Sequence, residues 1–80
     1  MGITENDISN EELLKDIHNT ELEFSAYDKL QSGFLILSEL PENKDSNKIL
    51  LFRHKKYCNL RDECFNFLEK LIILKSKRGL

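Results

Sequence analysis

Cys58, Cys64, His18 and His54 are the side chains in this 80-residue chain best suited to nucleophilic attack, metal binding or proton transfer near neutral pH. His54 and Cys58 are four residues apart, so on a helix they share a face and offer half of a tetrahedral zinc site. No second pair lies nearby in sequence to complete it. Cys58 and Cys64 are six apart, which on one helix turns them about 120° from each other and separates them by about 9 Å along the axis. That spacing is too wide for a disulfide, and burial as small thiols is the expectation for both. Neither histidine belongs to a nucleophile motif, and Gly2, Gly33 and Gly79 are too scattered to cradle a phosphate. The expectation is therefore no enzymatic activity, no metal and no cofactor.

The elements that position these residues read as helices. Ser9 and Glu12 have capping-box spacing. From them an apolar stripe runs through Leu13, Ile17, Phe24, Tyr27, Leu30, Phe34 and Leu37 in helical steps, with Thr20 in its gap. Thr20 and Glu23 form a second capping box beside Asn19, which allows the first helix to break there and give a three-helix unit. Gly33 is a natural helix stop, yet the stripe passes through it in phase at a cost of about 1 kcal/mol. Pro41 ends the helix, and PENKDS is a polar turn.

Beyond the turn, Leu50, Tyr57, Cys64 and Leu71 recur every seven residues, with Arg53, Leu60, Phe67 and Leu74 recurring between them. This is the heptad of paired helices. With Asp45 or Ser46 as N-cap and Gly79 past the end, it predicts one helix of about thirty residues. The fold class is all-α, an antiparallel helical hairpin over residues 9–78 behind a flexible N-terminus of residues 1–8. The competing α-β-β-α arrangement makes strands of the two apolar runs flanking the turn and starts a fresh helix at Asn59.

A third row, Leu51, Cys58, Phe65 and Ile72, also repeats every seven residues and widens the apolar arc of the second helix to about 160°. One facing helix covers less than that. The surplus is met by a folded-back first segment, a second copy of the chain or another protein. Leu51, Phe65, Leu68 and Ile72 are the candidate contact residues, with Arg53, Lys55 and Lys56 as a polar rim.

Charge is divided between the halves. Residues 1–42 hold ten acids against Lys15 and Lys29, a balance of −8, whereas residues 43–80 hold ten bases against Asp45, Asp62, Glu63 and Glu69, a balance of +6. The two helices therefore attract when antiparallel. The basic half suits an acidic partner, and the acidic half would serve an inhibitor or mimic of an acidic ligand. Direct nucleic-acid binding is disfavoured because the acidic half repels phosphates. No apolar run approaches the roughly 20 residues of a membrane span. Two cysteines behind a polar, acidic start read as reduced thiols of an intracellular protein, cytoplasmic or nuclear. The expected function is a non-enzymatic protein–protein interaction module, a small subunit, adaptor or regulator, with a protein partner or homodimer.

Overall fold

Ser9 starts the first helix by accepting a hydrogen bond on its hydroxyl from the Glu12 backbone N–H at 3.1 Å. Ile8, just before the cap, packs against the cluster that contains Leu13, so a hydrophobic staple sets the entry angle of the chain. A computed structural model describes residues 8–80, and in it α1 runs unbroken over Asn10–Glu39. The expected flexible N-terminus falls outside the described residues as far as residue 7. Its last member, Ile8, is half-buried against the core and belongs to the folded unit.

The helix does not break at Asn19–Thr20. Thr20 is buried and its hydroxyl donates to the Asp16 carbonyl at 2.6 Å, one turn back, so it bonds inside the helix instead of capping a new one. The three-helix unit is thereby overturned, and so is the α-β-β-α alternative, since no strand occurs among the described residues. Leu40 adopts an extended conformation before Pro41, and a 3-10 turn over Pro41–Ser46 reverses the chain. Two asparagine amides fasten this bend: Asn43 donates to the Leu37 carbonyl at 3.0 Å and Asn47 to the Ser38 carbonyl at 2.7 Å. They satisfy carbonyls that the end of α1 leaves without helical partners.

The second helix, α2, spans Asn47–Lys77. Ser46 precedes it as N-cap but its side chain makes no capping hydrogen bond. Gly79 closes it at φ +71°, donating to the Ser76 carbonyl while Leu80 donates to that of Lys75, the paired bonds of a Schellman motif.

The helices pack antiparallel along a seam with a strict rhythm. On α1 it is formed by Leu13, Ile17, Thr20, Phe24, Tyr27, Gln31, Phe34 and Ser38, all buried or half-buried, in alternating steps of four and three. On α2 the matching rows are Leu50, Tyr57, Cys64 and Leu71 with Asn47, His54, Arg61, Leu68 and Lys75. Only an average step of 3.5 keeps a seam facing its partner over thirty residues.

This rhythm corrects two residues of the predicted α1 stripe and one of the two predicted α2 rows. On α1, Gln31 and Ser38 replace Leu30 and Leu37, which are exposed. On α2 the expected second row of Arg53, Leu60, Phe67 and Leu74 gives way to the row one residue further on, leaving Phe67 53% exposed. Leu74 is buried from the edge of the seam. The polar side chains are accepted because they pair across the seam or with α1 carbonyls, and no buried polar side-chain atom among the described residues lacks a partner.

The driest part of the seam is at the open end, where Leu13, Ile17, Leu68, Leu71 and Leu74 form one cluster. Leu13, at 0% exposure, is its centre. Leu13→Ala should lower stability by about 3 kcal/mol through lost contacts and a cavity. Gly33 is the opposite case: a Cβ there would meet nothing within 4 Å. Gly33→Ala should raise hairpin stability by about 0.5–1 kcal/mol. Chemical denaturation followed by circular dichroism checks both signs.

Candidate association surface

The seam leaves two flanks uncovered. Residues one position after the Leu13 and Leu50 rows, namely Leu14, Glu21, Asp28 and Leu35 on α1 with Leu51, Cys58, Phe65 and Ile72 on α2, line one flank. Two cross-helix contacts tie this side together, the Phe24 and Phe65 rings at 5.9 Å and the ion pair from Arg61 to Asp28 at 3.0 Å. Asp16, Glu23, Leu30 and Leu37 on α1 with Arg53, Leu60, Phe67 and Leu74 on α2 line the other. There the Arg53 guanidinium lies 5.8 Å over the Phe34 ring.

The seven expected contact residues divide between these surfaces. Leu51, Phe65 and Ile72 share the first flank and are exposed, Phe65 by 50%. Leu68 is the exception: it is only 9% exposed, within the cluster at the open end, so it holds the hairpin together and offers no contact. Arg53 belongs to the second flank. Lys55 and Lys56 border an open hollow of about 450 Å³ on the outer face of α2, with Phe52, Asn59 and Leu60. The seven are thus not one patch. Leu30 and Leu37 were missed as surface residues because they kept helical phase with the core stripe. Their departure from the four-three alternation was the signal.

Aromatic rings fill the middle of the seam. Phe34 stacks on Tyr57 at 5.6 Å with planes 9° apart, and Tyr27 stacks on the same Tyr57 ring at 6.2 Å with planes 30° apart. Beside them Gln31 joins the two residues that the metal reading singled out. Its backbone carbonyl, which can only accept, is 2.8 Å from His54 Nδ1, so Nδ1 carries the proton. Its side-chain oxygen accepts from the Cys58 thiol at 3.4 Å. Cys58 Sγ is 3.7 Å from His54 Nε2 and 3.8 Å from Nδ1, nearly equidistant, so the sulfur rests against the ring instead of pointing at one nitrogen. No group of three potential metal ligands gathers among the described residues.

The ion pair is a surface feature with a sign. Hydrogen bonds from Arg61 first and then from Gln31 hold the Asp28 carboxyl below its usual value, and Asp28 in turn raises the Arg61 guanidinium. Stabilisation from a depressed carboxyl is complete above the unfolded group's pKa and is lost as the pH falls through the lower folded value. Both groups face water, so the pair fixes register more than it adds stability.

The chain is a rod of 52 × 25 × 15 Å with a radius of gyration of 17.0 Å. A compact domain of this length has about 12 Å. No helix among the described residues is long and apolar enough to cross a membrane.

The two thiols differ in environment. Burial first, and the Glu23 carboxylate second, push the Cys64 thiol up, and its Sγ lies 3.3 Å from the Thr20 carbonyl inside the seam. Cys58 is half-buried at the edge. Iodoacetamide at pH 7.5 should therefore alkylate Cys58 about tenfold or more faster than Cys64. Equal rates by mass spectrometry would mean that the seam opens readily. No protein-family model matches the chain, and no curated protein or solved structure matches it.

Proposed function

We propose that the hairpin is a non-enzymatic protein–protein interaction module, a small subunit, adaptor or regulator that buries an apolar flank against a protein partner. One observation carries this reading: after the two helices have satisfied each other, Leu51, Phe65 and Ile72 remain exposed in a single seven-residue row. Phe52, Phe67 and Ile73 add apolar surface elsewhere on the same helix. Isolated exposed leucines are normal on a monomer, whereas a row of large side chains in register is the pattern of a helix that packs against another. The elongated shape supports it too, because a rod of two helices has no second layer to shelter such a row. Phe65 is an aromatic side chain of the kind that anchors protein interfaces.

Phe65→Asp is the direct test, with Ile72→Asp as its companion. Both positions are about half exposed in the hairpin, so helicity by circular dichroism should hold. In retention assays from nuclease-treated lysate of the source organism, the wild-type chain should hold a stoichiometric protein through a high-salt wash. Both variants should release it. Apolar contacts barely respond to salt, whereas phosphate contacts weaken steeply. Retention that the variants leave unchanged, or that salt and nuclease abolish, defeats the reading.

A further inference from the structure

We infer that the second flank, lined by Leu30, Leu37, Leu60 and Phe67, is the site at which a second copy of this chain docks, giving a four-helix bundle about a two-fold axis parallel to the helices. The inference rests on the reading of the hairpin as an association module and names the occupant of one flank.

Gly33 singles out this flank. It sits in the middle of a thirty-residue helix, needs no special backbone conformation, and has open space where a Cβ would be. Nothing inside the hairpin requires glycine there, and a helix interior disfavours it. It forms the floor of a shallow apolar notch of about 160 Å³ with Lys29, Leu30, Phe34 and Leu37. A missing side chain beside an exposed apolar notch is what close approach by another helix needs.

Charge identifies the approaching helix. Within the hairpin, Glu12 and Asp16 lie at the level of Lys70 and Lys77, as the Asn10–Arg78 hydrogen bond and the Leu13–Leu74 cluster show. A two-fold axis parallel to the helices preserves levels and sets each α1 against α2 of the other copy. Glu12 and Asp16 then meet Lys77 and Lys70 of the second copy, while Leu30, Gly33 and Leu37 meet the stretch containing Ile49, Arg53 and Leu60. Every neighbouring pair of helices is antiparallel and opposite in charge. An axis perpendicular to the helices would set the acidic α1 against itself. The first flank is the poorer self-match, because Glu21 there would face both Asp62 and Glu69 of the second copy, whereas the second flank sets one like pair, Glu23 with Glu63, against two opposite ones. It is left for the partner that Phe65 anchors.

The test is sedimentation of the full chain across concentrations, with helicity followed in parallel. The wild type should form dimers of the 9.4 kDa chain. Gly33→Lys fills the notch and adds charge opposite Arg53 of the second copy while improving helix propensity, so it should keep its helicity and weaken the dimer about tenfold or more. Lys70→Glu with Lys77→Glu should also weaken it, and adding Glu12→Lys with Asp16→Lys should restore it. A wild type that stays monomeric, or a dimer indifferent to Gly33→Lys, overturns the proposal. If that monomer still retains a protein in the Phe65-dependent assay, only the second-copy assignment fails. If it retains nothing, the association reading fails as well.

Discussion

Two helices of thirty residues stay in contact over their whole length only when the contact rows advance by 3.5 residues on average, and this chain meets that demand with an unbroken four-three alternation on both of them. Other features follow from it. The alternation decides that Gln31, Ser38, Asn47, His54 and Arg61 enter the seam, although leucines stood one residue away on α1 at Leu30 and Leu37. Having entered, each of these polar groups finds a partner: Asn47 on the Ser38 carbonyl, His54 on that of Gln31, Arg61 on Asp28. Such specific pairs cost little when satisfied and penalise every other register, since a slip would leave them buried and unpaired. Placing polar residues inward also places apolar ones outward. The exposed rows are thus the counterpart of the seam's specificity.

The fold class was legible because helix signals are local. Ser9 with Glu12, Pro41 and Gly79 mark ends through backbone chemistry that each residue carries by itself, and all three act where expected. The second capping box at Thr20 failed for a tertiary reason: the seam buries Thr20, and its buried hydroxyl donates to the second lone pair of the Asp16 carbonyl, one turn back in a continuous helix. The inward rows were only half legible. Hydrophobicity placed Leu50, Tyr57, Cys64 and Leu71 correctly but pulled the second row onto Arg53, Leu60, Phe67 and Leu74, because a count of apolar residues does not foresee that His54 and Arg61 have partners waiting on α1. Leu68 was misplaced as surface by the same shift. Leu51, Phe65 and Ile72 are exposed because they lie one position outside the row of Leu50, Tyr57, Cys64 and Leu71.

The division of charge acts at two scales. Inside the hairpin it makes the acidic α1 and basic α2 attractive neighbours, a long-range preference that supplements the cross-helix ion pair of Arg61 and Asp28. Outside it, each hairpin presents an acidic and a basic edge side by side. A surface of this kind orients an approaching partner before apolar contact is made and speeds encounter more than it deepens affinity.

The grip of the hairpin lies far from its bend. Near the turn the helices are joined by amide and imidazole hydrogen bonds, with partners such as Ser38 and Asn47 only nine residues apart, whereas Thr20 and Cys64 meet across 44. Closing the longer loop costs about 1.4 kcal/mol more in chain entropy than closing the shorter one. The contacts at the bend therefore set the register at the lowest entropic cost, while the dry cluster at the mouth supplies the apolar hold. Because closure entropy grows only with the logarithm of loop length, doubling the loop would add about 0.6 kcal/mol. The bend is accordingly the part of the chain where evolution is freest to insert residues without loosening the hold of one helix on the other.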